Sequence, residues 1–339
     1  MTSESVPPLP DVAELLEHAY AVIVPLRTRF RGVTHREALL LRGPVGWAEF
    51  APFVEYDDAE ASAWLAAAVE AGWVGWPAPR RDTVPVNATL PAVGPEQVDD
   101  VLSRYDGCRT VKVKVAQAGQ TLRDDVDRVA AARSHLGPAG RVRVDANGAW
   151  SLADARAAVA ALAPYDLEYV EQPCAAVEDL ARLRVALARA ALDVRVAADE
   201  SIRRARDPLR VKALDAADVV VVKVAPLRGV RAALDVVAAV GLPAVVSSAL
   251  DTSVGMRAGV ALAAALPDLP FDCGLGTVEL LADDVTTTRL VPRGGFLPVS
   301  GAVRPDEVDA AAPARLAAGA DRQRWWEERL ARAHAVLAG

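Results

Sequence analysis

The chain has 339 residues, 52% of them hydrophobic, and a formal net charge of −7; it is long enough for one large domain with a sizeable core plus a smaller one. The acidic balance leaves no basic footprint for nucleic acid and argues against an anionic membrane surface, and no run of about 18 uncharged apolar residues marks a transmembrane helix. The opening MTSESVPPLP lacks the basic and apolar regions of a secretory signal, and the distant cysteines Cys108, Cys174 and Cys273 form no metal or redox pattern, so a reducing cytoplasmic compartment is expected.

In chain order, Pro7, Pro8 and Pro10 lead into a short helical patch at Asp11 to His18. Ala21 to Val24 and Ala38 to Arg42 read as strands, with LRTRFRGVTHRE between them. Its arginines, Arg27, Arg29, Arg31 and Arg36, read either as the wet face of a strand or as contacts to an anionic substrate. Trp47 to Phe50 forms a third strand, joined to the second in a hairpin at Gly43-Pro44. Ala59 to Ala71 is an alanine-rich helix. Trp64, Trp73 and Trp76 read as packing residues. This first unit, residues 1–83, is expected to be α+β.

From Val84 short valine-rich strands alternate with helices. Strands are expected at Val84–Ala88, Thr110–Val115, Val142–Asp145, Tyr169–Glu171, Val194–Ala198, Val219–Val224, Ala244–Ser247 and Phe271–Cys273. Helices are expected near 95–104, 121–136, 151–163, 177–190, 207–214, 229–239 and 253–266. This alternation predicts a (β/α) barrel over 84–290. An open doubly wound sheet competes, but no Gly-rich phosphate loop follows the first strand. Residues 291–339 carry Gly294-Gly295, then a terminal helix with Trp325 and Trp326 that packs back on the cap or barrel.

In a parallel barrel the strands' C-terminal ends carry the chemistry. Asp145, Glu171 and Asp199 close three successive strands. Carboxylates brought together repel one another, and a hard divalent cation, Mg²⁺ or Mn²⁺, relieves that repulsion. Lys112 and Lys114 share one face of their strand, and Lys223 ends the strand opposite. Two neighbouring ammonium groups lower each other's pKa, one way to prepare a base. Ion pairing of these lysines with the acids is the competing reading. Arg143 shares the inward face of Asp145 and either balances acids or touches substrate. Asn147 could bond substrate or a metal-bound water. Ser247 begins a loop into a helix whose N-terminus suits a carboxylate, unless Asp251 or Ser253 merely caps it. Gly274 lets backbone approach a ligand. The four histidines do not cluster.

The segments KVKV, RVDANGAW, YVEQP, AADES, DVVVVKVAPLRG and SSALDTSVG, in this order, resemble the muconate-lactonizing subgroup of the enolase superfamily. Within it they look most like the o-succinylbenzoate synthase family, as do LRTRFRG and GWAEFAP in the first unit. The resemblance implies a modified (β/α)7β TIM-like barrel with a smaller α+β capping domain. It implies Mg²⁺ held by Asp145, Glu171 and Asp199, with Mn²⁺ as a substitute. It also implies Lys114 as the base, tuned by Lys112, and Lys223 as positive charge on the opposite face. The reaction implied is syn-dehydration of 2-succinyl-6-hydroxy-2,4-cyclohexadiene-1-carboxylate through an enediolate. N-succinylamino acid racemisation is the nearest rival. A lysine Schiff-base aldolase and a non-catalytic scaffold are readings from other classes. The expected partner is a small-molecule carboxylate. The first unit is short for a cap of this subgroup.

Overall fold

The computed structural model describes residues 8–203 and 208–339. Pro7 and most of the opening segment therefore lie outside the described residues, as does position 207, where a helix was expected to begin. The Asp11 side chain caps the short helix α1 (Val12–Leu16). Strands β1 (Tyr20–Phe30) and β2 (Val33–Arg42) form an antiparallel hairpin, and β3 (Trp47–Phe50) pairs with β2. The hairpin is longer than the apolar runs suggested, because the arginine-rich stretch continues both strands. Its tip is Arg31-Gly32, with φ of 50° and 81°. A two-residue hairpin turn with both central residues left-handed matches the strands' twist. Pro25 offers no N–H to a ladder, and the register shifts between Pro25 and Phe30.

Helix α2 (Asp58–Val69), capped by Asp57, packs against this sheet and ends in a wide turn at Glu70–Val74. The C-terminal helix α12 (Ala320–Ala338) completes the same core. Trp326 meets Phe50 edge to face, with ring centroids 5.9 Å apart. Buried Arg329 donates to the Phe53 and Tyr56 carbonyls at 2.8 and 2.7 Å. The end of the chain thus holds the loop that carries Phe53 and Tyr56.

The second core is the barrel. Its strands are β5 (Ala88–Leu90), β6 (Thr110–Lys114), β7 (Arg141–Asp145), β8 (Leu167–Glu171), β9 (Arg195–Ala198), β10 (Val219–Val222) and β11 (Ala244–Val246). They lie side by side in chain order, all parallel. The expected eighth strand, Phe271–Cys273, is reduced to two residues that close the ring. Cys273 bridges Val86 and Gly274 bridges Ser247, both in parallel sense. The first expected strand divides: β4 (Thr83–Pro85) pairs with β12 (Phe296–Pro298), and only β5 joins the barrel.

The intervening helices are α3 (Val98–Leu102), α4 (Leu122–Leu136), α5 (Leu152–Leu162), α6 (Val177–Arg189), α7 (Glu200–Arg203), α8 (Arg210–Ala213), α9 (Val230–Val240) and α10 (Ser253–Ala265). The helix expected at 207–214 is therefore shorter, with α7 before it. The expected terminal helix with Trp325 and Trp326 is α12; a short α11 (Ala312–Arg315) precedes it, parted from it at Gly319, whose φ is 79°.

Strand alternation decides what faces inward. Val111, Val113, Val142, Val144, Val170, Val196, Val220 and Val222 pack outward under the helices. Tyr169, Ala197, Val219, Val221 and Val245 fill the interior with Phe271. The inward parity therefore falls on Lys112, Lys114, Arg143, Asp145, Glu171, Asp199 and Lys223. The cap is fastened to the barrel by Glu70, whose carboxylate accepts from the Val230 N–H, the Arg231 N–H (3.1 Å) and the Arg231 guanidinium (2.9 Å).

Candidate active site

Strand register sets the charged rim. Lys114 is the Cα partner of Asp145, and Asp145 of Glu171, so these two acids stand level on neighbouring strands, and Asp199 follows two residues after Ala197, the partner of Glu171. Lys112, one pleat lower on the inward face, reaches up between them. Its Nζ donates to Asp145 Oδ2 at 2.9 Å and to Glu171 Oε1 at 2.8 Å. Lys114 Nζ also donates to Asp145 Oδ2, and to Asn147 Oδ1 at 2.7 Å. Across the barrel, Lys223 Nζ donates to Asp199 Oδ2 at 2.6 Å, and Arg203 Nε donates to the other oxygen at 2.9 Å. All three acids are at most 1% exposed.

Burial and charge set the protonation states. Burial alone would raise Asp145, but Lys112 and Lys114 hold it well below its usual value. Asp199, buried but paired with Lys223 and Arg203, is lowered to about 2. Glu171 goes the other way: burial and the adjacent Asp145 charge raise it to about 7 despite Lys112. Burial would lower Lys112, yet Asp145 and Glu171 hold it well above the usual lysine value. Lys112 is thus paired as a counter-ion with both acids. Burial dominates at Lys223 and brings it below its usual value, although Asp199 pulls it upward.

The rim opens into a cavity between barrel and cap that encloses about 560 Å³, part of it open to solvent. Lys112, Lys114, Asn147, Lys223, Ser247 and Gly274 line it. Among the described residues no acidic side chain lines it, because the lysines cover the carboxylates. Gly274 answers a steric need: an added Cβ would stand 2.6 Å from Ser247 Oγ, where the closing strand meets β11.

Arg143, expected to balance acids or touch substrate, stands elsewhere. It is wholly buried, donates to Glu168, to Asn87 (3.0 Å) and to the Asp272 carbonyl (2.6 Å), and lies over Tyr169 at 4.8 Å. It plugs the barrel interior and does not line the cavity.

The helix N-terminus after Ser247 is also spoken for. Its cap is Thr252, neither Asp251 nor Ser253. The Thr252 and Gly255 N–H groups donate to Glu49 of the cap, at 3.1 and 3.3 Å, and Ser253 N–H donates to Asp284 at 3.2 Å. Those amides are spent within the protein, so this helix end is no anion site. The loop before it is held by Arg36, which donates to the Leu250 carbonyl at 3.1 Å, and by Asp251, which accepts from the Ala249 N–H at 3.0 Å. Leu250 itself lines the cavity with a φ of 65°, and a bulky residue held there signals an over-determined wall.

Several contributors were not singled out from sequence. Gln172, wholly buried, accepts from the Asp199 and Ser201 N–H groups (2.9 and 3.1 Å) and donates to Cys174 O and Ser201 Oγ, fixing the end of β9. A polar residue directly after a strand-end acid was the available signal. Arg203 stands four after Asp199 on one helical turn, a spacing that makes neighbours. Phe53, Tyr56 and Trp64 reach the cavity from the cap, and no local pattern ties them to the barrel.

Residues 74–305 match the family model described as enolase C-terminal domain-like, and residues 21–72 match the one described as enolase N-terminal domain-like. The chain belongs to the enolase superfamily. An o-succinylbenzoate synthase of Thermobifida fusca is 58% identical over 279 residues, covering 82% of this chain and 86% of that protein. One from Mycolicibacterium smegmatis is 53% identical over 330 residues, covering 97% and 99%. Among solved structures, a muconate lactonizing enzyme from Pseudomonas fluorescens superposes with a TM-score of 0.72 at 22% identity, covering 88% of this chain and 97% of that one. The L-Ala-D/L-Glu epimerase from Bacillus subtilis gives 0.71 at 22%, covering 86% and 97%. At that identity the structural likeness speaks for the fold alone.

Membership in this superfamily implies a divalent metal ion. No three His, Cys, Asp or Glu side chains among the described residues converge closely enough to hold one, and ammonium groups pair with all three strand-end carboxylates. The donor set nevertheless fits. It is all oxygen, buried and anionic, and two of its members already share one cation, the Lys112 ammonium. Burial first, and the Asp145 charge second, raise Glu171, and a divalent charge would favour its ionised form against both.

Proposed function

We propose that the chain is an o-succinylbenzoate synthase of menaquinone biosynthesis, acting in the cytoplasm on 2-succinyl-6-hydroxy-2,4-cyclohexadiene-1-carboxylate. The observation that carries this reading is a cavity lined by Lys114 and Lys223 from opposite sides of a barrel, above three strand-end carboxylates, in a chain 52–58% identical to curated o-succinylbenzoate synthases. Residues 1–83 act as the cap, 84–290 as the catalytic barrel and 291–339 as a segment that braces the cap.

Asp145, Glu171 and Asp199 would hold the metal, Mg²⁺ in this reading. When bound, it supplies positive charge that makes the proton next to the substrate carboxylate more acidic. The Lys114 amine removes that proton. The carbon–oxygen bond to the ring hydroxyl then breaks, and the Lys114 ammonium returns its proton to the departing oxygen, so water leaves on the face where the proton was taken. The ring becomes aromatic, and Lys114 ends as it began. Lys223 contributes positive charge from the opposite face, and Lys112 keeps the acids ordered beneath the base. Asn147 orients Lys114, and Ser247 and Gly274 form the wall against the substrate. Arg143 supports the rim from below.

The ionisation of Glu171 sets a pH dependence. Raised to about 7, the carboxyl carries a proton below that pH, and metal binding must displace it. Affinity for Mg²⁺ is therefore expected to be level above about 7 and to fall as pH drops below it, approaching tenfold per unit. Calorimetric titrations across that range would show it; an affinity independent of pH would mean that Glu171 is not a ligand.

The rival reading, N-succinylamino acid racemisation, uses Lys114 and Lys223 as a matched pair of proton carriers. Comparing kcat/KM for the cyclohexadiene with that for N-succinylamino acids separates the two. Dehydration is expected to dominate, and racemisation without dehydration would overturn the proposal.

A further inference from the structure

Among the described residues, five cationic side chains line the cavity, and four of them are committed to carboxylates. Lys112 and Lys114 pair with Asp145, Lys112 also with Glu171, Lys223 with Asp199, and Arg203 with Asp199 and Glu200. The fifth is Arg31, at the tip of the cap hairpin. Among the described residues it has no carboxylate partner. Its guanidinium lies over the Phe53 ring, 4.0 Å from the centroid, and Nη2 donates to the Tyr56 hydroxyl at 2.8 Å. Stacking on an aromatic face fixes a guanidinium without consuming its N–H donors. One of the five donors is engaged by Tyr56, so the planar fork remains available to an anion.

The turn is built to present this side chain. Arg31 and Gly32 have φ of 50° and 81°, and Arg29 Nε straps the turn by donating to the Gly32 carbonyl at 3.2 Å. The neighbouring Phe30 ring lies 5.4 Å from Lys114 Nζ, which places the hairpin tip directly beside the proposed base. Tyr56 also accepts from Arg203 at 3.2 Å, and Arg203 holds Asp199. The cap arginine is thus tied through one hydroxyl to the acid rim. A ligand with a carboxylate at the barrel acids and a second anionic end toward the cap would meet Arg31 there.

We propose that Arg31 is a specificity-determining residue that binds the terminal carboxylate of the substrate's succinyl chain. This rests on the dehydratase reading, which supplies a substrate with two carboxylates. The ring carboxylate belongs to the barrel floor and the succinyl carboxylate to the cap hairpin. Arg31 touches no reacting atom, so its loss acts on binding.

The test uses Arg31→Met and Arg31→Lys in the full-length enzyme, assayed with Mg²⁺. Arg31→Met is expected to raise KM by about 10- to 100-fold, the worth of a charge-assisted hydrogen bond, with kcat changed far less. Arg31→Lys, which keeps the charge but loses the fork, is expected to recover part of the loss. Affinity for o-succinylbenzoate and for its analogue with the succinyl carboxylate converted to an amide gives a readout that a merely structural role would not move. Wild-type protein is expected to prefer the dicarboxylate, and Arg31→Met to lose that preference. Wild-type turnover together with an unchanged preference in Arg31→Met would overturn this assignment alone. No turnover by wild-type protein would overturn the dehydratase reading and the assignment with it.

Discussion

Lys114→Ala is expected to lower kcat/KM for the cyclohexadiene by about 10²- to 10⁴-fold while leaving the fold intact. The argument begins with position. Lys114 is the last residue of β6, on the inward face, hydrogen-bonded to Asp145 and Asn147 and lining the cavity. Its removal takes away the amine proposed to remove and return the proton. It does not strand Asp145, which keeps the Lys112 ammonium at 2.9 Å. Lys114→Arg should fare little better, because a guanidinium stays protonated and cannot act as a base. Steady-state turnover, with near-ultraviolet circular dichroism to verify packing, is the measurement. Either variant keeping a tenth or more of wild-type turnover would remove Lys114 from the role of base.

Lys112→Met is expected to act on stability first. Lys112 is the shared counter-ion of Asp145 and Glu171, each 1% exposed. Breaking a buried pair by deleting one partner costs about 3–5 kcal/mol, since the charge left behind is neither hydrated nor paired. Without metal, urea unfolding of Lys112→Met should show a loss of that order. Saturating Mg²⁺ should recover much of it, because a ligand that binds only the folded state adds to its stability and here replaces the missing charge. The loss should also shrink toward acid pH, where Glu171, already raised to about 7, takes up a proton and removes one of the two charges. A variant as stable as wild type in chelator, or one that Mg²⁺ fails to rescue, would refute this picture of the rim.

The barrel was legible because strand alternation is a local property. Valines at alternate positions of Thr110–Val115 and the run ending at Lys223 announce which side chains turn inward, and the structure keeps that parity. Strand-end acids were legible for the same reason. What escaped depends on contacts between distant segments. The closing strand shrank to Cys273 and Gly274 because a ring needs only a few bridges between Val86 and Ser247. The helix end after Thr252 read in the sequence either as a carboxylate site or as capped by Asp251 or Ser253, and Glu49, on a cap strand, fills it. Burial and the neighbouring Asp251 raise that glutamate to about 8, a consequence of packing that no spacing could report. Arg143 has the inward parity of its neighbours and finds Glu168 and the Asp272 carbonyl within reach, partners that parity alone does not name. The cap's share of the cavity, from Phe30 to Trp64, follows from how cap and barrel pack.

The claim that the three strand-end acids serve a metal-dependent dehydration is tested most directly by turnover of metal-stripped protein on the cyclohexadiene, before and after Mg²⁺ is restored. The expected result is no measurable o-succinylbenzoate without metal and full turnover on its return. Turnover undiminished after stripping would contradict the assignment of Asp145, Glu171 and Asp199 as metal ligands, and no turnover with Mg²⁺ restored would contradict the dehydratase itself.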